Sequence, residues 1–256
     1  MGTIRFEREG AVATIEISDP ERHNAMSLSM WQALAEAISE IDRDEALRVC
    51  VLRGAGERAF VSGANISEFE TERNSPAAVA RYNEQVERAQ TGLAACRVPV
   101  IAAISGVCFG GGLGLALSCD LRFAAPNARF RMPAARLGLG YGYESMRSFV
   151  AQLGPQAAAE AFYTARIYDA PAAAELGIVR AVVDDVFDHA RSVAQEIAGN
   201  APLTVQAGKK AMRAAIAGSP DLEAIAQAID RCFNSQDYAE GRLAFSQKRP
   251  PNFIGR

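Results

Sequence analysis

The stretch VPVIAAISGVCFGGGLGLALSCD, residues 98–120, carries no charge until its last residue. Its first half, Val98 to Ile104, is a short apolar run ended by Ser105-Gly106, the pattern of a strand buried on both faces. Four glycines follow within five positions, Gly110, Gly111, Gly112 and Gly114, and the spacing predicts a short helix over Leu113 to Cys119. The 22 uncharged residues from Val98 to Cys119 are long enough on paper to cross a bilayer. The glycine break divides them into a strand and a helix, so no membrane span is expected. Glycines at a helix start admit two readings. A ligand carbonyl can approach unpaired N–H groups closely only where Cβ atoms are absent, and a tight helix–helix or helix–strand contact selects the same residue.

Outward from this stretch the chain alternates strands and helices. Thr3 to Arg8 and Ala11 to Ser18 alternate apolar and polar residues around Glu9-Gly10, as a hairpin does, and Asp19-Pro20 ends it. Ser27 stands as N-cap to a helix with Met30, Leu34, Ile38 and Ile41 at helical spacing. A strand over Arg48 to Arg53 runs through Gly54-Ala55-Gly56 into Ala59-Phe60-Val61-Ser62-Gly63, a helix is expected at Pro76 to Ala95, and Asp120 to Ala124 reads as a further strand. This alternation implies an α/β core with crossover connections. From Glu144 onward the chain is Ala-rich and helical, at Glu144–Gln152, Pro155–Phe162, Ala170–Leu176, Val186–Ala198, Leu203–Ala217 and Leu222–Phe233, with only Ile178 to Val183 reading as strand. No low-complexity linker separates the halves, so one core, residues 1–195, with a C-terminal helical region, residues 196–256, is the expected organisation.

Composition removes several function classes. The 256 residues are 49% hydrophobic, enough for a sizeable core, and 27 basic against 30 acidic residues give a net charge of -3. That balance offers nucleic acid no bulk attraction, although an anionic small molecule can still be held locally. Five cysteines, an odd number without a CxxC spacing, suit reduced buried thiols in the cytoplasm. MGTIRFEREG has no apolar core of a secretory signal, and Arg5-Phe6 does not fit an N-myristoylation site. His23 and His189 are the only histidines and neither has a partner at ligand spacing, so no metal is expected. Gly54-Ala55-Gly56-Glu57-Arg58-Ala59 meets the loose dinucleotide pattern, but Phe60-Val61 follows where a helix should open. There is no Walker loop and no G-x-S-x-G elbow.

A second glycine-bearing turn lies in Ala59-Phe60-Val61-Ser62-Gly63-Ala64-Asn65-Ile66, where a strand enters a tight turn that would expose the Ala64 N–H. Two such donors, one at Ala64 and one at the helix start after Gly110, would make an oxyanion hole if they converged. Together the two segments resemble the crotonase family, the enoyl-CoA hydratase/isomerase superfamily. The likeness extends over nearly the whole chain. It takes in Pro20 and Asn24-Ala25, Ala59 to Phe69, Pro99 to Gly106 through Cys119-Asp120, Ala165-Arg166, Ala170 to Gly177, and the tail Asp237 to Gly241 with Ala244-Phe245 and Lys248 to Pro251.

The resemblance implies a spiral of ββα turns with a C-terminal helical trimerisation region, assembling as homotrimers or homohexamers. It also implies a coenzyme A thioester as substrate, and no permanently bound cofactor. Ala64 and Gly111 would donate the N–H groups that hold the thioester oxygen. Arg22, Ala25, Phe245 and Lys248 would meet the coenzyme A, Ser62 and Ile66 are further substrate-binding candidates, and Tyr141, like Tyr143, would donate a hydrogen bond to the substrate. Some relatives bind RNA, but this chain lacks a basic aromatic patch.

The chain departs from the family at two positions. Hydration needs one group to activate water and one to protonate the α-carbon, and the family's hydratases use two glutamates. Those positions here are Gly114 and Ala134. The resemblance therefore implies a variant reaction, such as isomerisation, decarboxylation, thioester hydrolysis or weak hydration, or acyl-CoA binding without turnover. Glu144, in the loop Leu139 to Ser145, is the candidate proton carrier, and equally suits the first turn of a helix. Asn65 is read as fixing the turn. Glu68 and Arg73 either line the acyl pocket or lie on a solvated face, and His23 is expected at the surface or beside the adenine.

Overall fold

The computed structural model describes residues 2–65, 68, 74–218 and 220–256. Ile66 and Arg73 lie outside these described residues. The hairpin forms as expected, β1 (Thr3–Glu9) pairing antiparallel with β2 (Val12–Ser18). The helix α1 (Leu28–Arg43) begins where Ser27 caps it, its side chain accepting from the Met30 N–H, and Met30, Leu34, Ile38 and Ile41 are buried.

Three successive repeats then share one plan. β3 (Val49–Gly54) is followed by β4 (Ala59–Val61) and α2 (Pro76–Ala95). β5 (Val100–Ile104) is followed by β6 (Val107–Phe109) and α3 (Gly111–Ser118). β7 (Leu121–Ala124) is followed by β8 (Arg129–Arg131) and the short α4 (Ala134–Leu137). The first strand of each repeat joins one sheet and the second joins another, so the chain winds as a spiral. With β9 (Tyr168–Asp169) and β10 (Ala181–Val182), the sheet orders are β1-β2-β3-β5-β7-β10 and β4-β6-β8-β9.

This topology explains the uncharged run. On β3 and β5, Cys50, Leu52, Ala102 and Ile104 face the main core, while Val49, Val51, Ile101 and Ala103 face a second cluster. That second cluster is closed by Val186, Ala190 and Ala194 of α8 (Val186–Ala198). On β5, where every residue is buried between the two clusters, no position is left for a charge. Asp120, where the run ends, accepts from the Val100 N–H at 2.8 Å and pairs with Lys209 and Arg213.

Between α4 and α8 lie α5 (Tyr143–Leu153), α6 (Pro155–Thr164) and α7 (Ala170–Glu175), and after α8 come α9 (Pro202–Ala217), α10 (Leu222–Phe233) and α11 (Gln236–Gln247). Three expectations need correction. β9 is a strand in the half read as helical apart from one segment, and at two residues it is too short to show alternation. The strand expected over Ile178 to Val183 narrows to Ala181–Val182, because its partner is the short β7. The helix expected from Leu113 starts at Gly111, since Gly110 makes the turn at φ 52° and the next two glycines form the first helical turn themselves.

The chain end is fastened to α11 and the core. The buried Asp237 carboxylate accepts from the Ile254 and Gly255 N–H groups, Arg249 pairs with Glu240, and Arg48 donates to the Phe253 carbonyl. Among the described residues no helix is long and apolar enough to cross a membrane.

Candidate active site

Two neighbouring strands set the site. β4 pairs with β6 in parallel, with Val61 opposite Cys108. Three residues beyond these partners stand Ala64 on one chain segment and Gly111 on the other. Adjacent parallel strands lie about 4.8 Å apart, so the two segments leave the sheet side by side at the same end.

The orientation of Ala64 follows from its other neighbour. Met26 forms a parallel bridge with Ala64, donating its N–H to the Gly63 carbonyl and accepting from the Asn65 N–H. In such a bridge the central residue turns its own N–H to the opposite side. The Ala64 N–H is thus directed away from Met26 and has no acceptor among the described residues. The Gly111 N–H, first in α3, has none either, as expected for the opening turn of a helix.

The glycines of α3 serve packing as well as access. A Cβ on Gly112 would lie 2.2 Å from the Val61 carbonyl oxygen, so only glycine allows α3 this close to β4. A Cβ on Gly111 would lie 3.2 Å from the Trp31 ring, and Trp31, 1% exposed, donates its indole N–H to the Tyr82 hydroxyl at 2.9 Å. A Cβ on Gly114 would lie 2.4 Å from Nε2 of Gln90, which projects from α2. Ala134, at the start of α4, is buried.

Arg22, Ala25, Ser62 and Ala64 are brought together. Ser62 donates its N–H to the His23 carbonyl and its hydroxyl to the Arg22 carbonyl, and Met26, next to Ala25, holds Gly63. Asn24, buried and at φ 55°, accepts from the Asp19 N–H and donates to the Ala55 and Ala59 carbonyls, which locks this loop onto the start of β4. His23 Nε2 meets Arg58 at 3.1 Å on the exposed side. Asn65 does fix the turn, donating to Glu68, whose other carboxylate oxygen accepts from the Leu28 N–H at the start of α1.

The remaining candidates are spread more widely. Tyr141 packs edge-on to Phe162 with centroids 5.8 Å apart. Glu144 lies in the first turn of α5 and pairs with Arg147 one turn on at 2.7 Å, its side chain 58% exposed. Phe245 is 88% exposed on α11 and Lys248 caps that helix at φ 54°. Among the described residues neither bonds to the Arg22–Ala64 group. Ile66 lies outside the described residues. No local signal in the chain points to Trp31, Tyr82 or Gln90, whose place beside α3 depends on how α1 and α2 pack. No three His, Cys, Asp or Glu side chains gather as a metal site among the described residues.

A repeated succession of long strand, short strand and helix, with the second strands gathered into their own sheet, defines an α/β protein of the crotonase fold. The chain belongs to the enoyl-CoA hydratase/isomerase family, whose model matches residues 7–256. It is 32% identical to the short-chain-enoyl-CoA hydratase of Clostridium acetobutylicum, over 97% of this chain and 96% of that protein. It is 31% identical to the crotonyl-CoA hydratase of Syntrophomonas wolfei, over 99% of this chain and 98% of the relative. Among solved structures, an enoyl-CoA hydratase/carnithine racemase from Magnetospirillum magneticum superposes with a TM-score of 0.95 at 38% identity, over 100% of this chain and 97% of that one.

Proposed function

We propose that this chain is an enzyme of coenzyme A thioesters that holds the thioester oxygen on the Ala64 and Gly111 amides while an enolate or a tetrahedral oxyanion forms. The single observation that supports this reading is that both amides lack an acceptor among the described residues and leave adjacent strands in matched register. Fixed backbone donors need no reorganisation as charge develops, and removing one such donor typically costs about 10²–10³ in rate. Arg22 and Ala25 lie beside Ala64 and would meet the coenzyme A, Ser62, Ile66 and Tyr141 would line the acyl site, and no cofactor beyond the substrate's own coenzyme A is needed. Residues 196–256 would carry assembly into a homotrimer or homohexamer in the cytoplasm, and the exposed end of α11 with Phe245 and Lys248 would meet the nucleotide end of the ligand.

Without carboxylates at Gly114 and Ala134, the reaction is a variant one: isomerisation, decarboxylation or thioester hydrolysis. Glu144 is the proton carrier in this reading. Its exposed pair with Arg147 is weak enough to open when a substrate arrives. The same exposure favours a second reading, an acyl-CoA-binding protein without turnover.

Calorimetry and product analysis with butyryl-, crotonyl-, acetoacetyl- and malonyl-CoA separate the two. Turnover that falls by about 10²–10⁴ in Glu144→Gln supports the enzyme with Glu144 as proton carrier. Binding without turnover of any thioester supports the second reading. Absence of binding to all four overturns both.

A further inference from the structure

Gln90 is the polar group nearest the position that the family's hydratases fill with a glutamate. It stands beside Ala89 and three residues before Leu93, both buried, at the edge of the inward face of α2. Its amide reaches across to α3, where Nε2 would be 2.4 Å and Oε1 3.6 Å from a Cβ on Gly114. The space into which a side chain at residue 114 would grow is occupied by this amide instead. Gln90 is only partly buried, and its amide makes no hydrogen bond among the described residues. A side-chain amide left without a partner at the rim of a site has capacity for a ligand.

The spacing of Gly114, beside which the amide lies, from Gly111 suggests which part of a ligand it meets. Gly111 and Gly114 share a face of α3 and differ by three residues, about 4.5 Å along the helix axis. That is close to the reach from a thioester carbonyl oxygen to an oxygen on the β-carbon. An amide cannot take a proton at neutral pH as a carboxylate can, but it donates through Nε2 and accepts through Oε1.

Resting on the thioester reading above, we propose that Gln90 hydrogen-bonds an oxygen substituent on the β-carbon of the acyl group. The site would thereby select 3-oxoacyl and 3-hydroxyacyl thioesters over unsubstituted ones. Gly114 is then the companion change that gives Gln90 room.

The test is calorimetric titration of the wild type, Gln90→Met and Gln90→Glu with butyryl-, 3-hydroxybutyryl- and acetoacetyl-CoA. Gln90→Met keeps the side chain's length and shape while removing its hydrogen bonds. It is expected to weaken both oxygenated ligands about fivefold and to leave butyryl-CoA unchanged. Gln90→Glu keeps an acceptor and loses the donor, so it should retain 3-hydroxybutyryl-CoA and lose acetoacetyl-CoA. Equal effects on all three ligands, or none, overturn the role of Gln90 while leaving the thioester reading intact. A wild type that binds none of the three overturns the thioester reading, and this proposal with it.

Discussion

Gly112 and Gly114 stand two residues apart in the same helix, yet substituting them with alanine should have opposite consequences. In Gly112→Ala the new Cβ meets backbone: the Val61 carbonyl oxygen at 2.2 Å and the Val61 carbonyl carbon at 3.0 Å. Ordinary contact begins near 3.4 Å, so α3 or β4 must retreat by roughly 1.2 Å. Overpacking of this kind costs about 1–3 kcal/mol, and for a chain of this size each ~1 kcal/mol lowers the melting midpoint by roughly 2–4 °C. A value near ~2 kcal/mol, or about 4–8 °C, is expected. The same retreat separates the Gly111 amide from the Ala64 amide, and a displacement of about 1 Å can cost on the order of 10² in rate. In Gly114→Ala the new Cβ meets only the far end of Gln90, which can rotate away, while alanine gains up to about 1 kcal/mol of helix propensity over glycine. Scanning calorimetry of both variants, paired with thioester titration, checks the contrast. Equal melting midpoints for Gly112→Ala and the wild type would refute the account of how α3 is seated on β4.

Further outcomes follow from the same packing. Trp31 is the sole tryptophan and lies under Gly111, so its fluorescence should change on titration with a thioester ligand, and that change should vanish in Trp31→Phe. A flat titration with a ligand that calorimetry shows to bind would place the thioester elsewhere. Four thiols are buried, and Cys232 is half-buried, so a thiol reagent near pH 8 should label about one cysteine in the native chain and all five after denaturation. Burial pushes the Cys96 thiol up to about 11 and Cys119 up to about 12, and raises Cys50 and Cys108 as well. Unfolded thiols ionise near pH ~8.5, so the unfolded state releases these protons first. Stability should hold below that pH and decline above it, through the range where Cys96 and Cys119 ionise in the folded chain. Melting midpoints that stay level from pH 8 to pH 11 would contradict this, and Cys119→Ala should make the decline shallower.

Much of the architecture was legible because its causes are local. Alternation around Glu9-Gly10 gave the hairpin, Ser27 with apolar residues at helical spacing gave α1, and Pro76 to Ala95 and Val186 to Ala198 gave α2 and α8 with their observed ends. Among the missed elements, β6 and β8 are three residues long and β9 two, and all three owe their existence to partner strands. No period can be read from so few residues. The start of α3 was placed too late because glycine lowers helix propensity in general, whereas here packing against β4 outweighs that cost.

By itself the sequence determined most of the longer strands and helices, which run is buried on both faces, and where the two glycine-bearing turns lie. These depend on hydrogen bonds and hydrophobic spacing within a few residues, and a chain carries them wherever it goes. Only the tertiary structure decided that Ala64 and Gly111 leave neighbouring strands in register, that Gly112 is demanded by Val61, that Gln90 fills the space beside Gly114, and that Glu144 faces solvent against Arg147. Each of these joins residues far apart in the chain through strand register and helix packing, and a side chain's neighbours across such a gap are fixed by the close-packed interior as a whole.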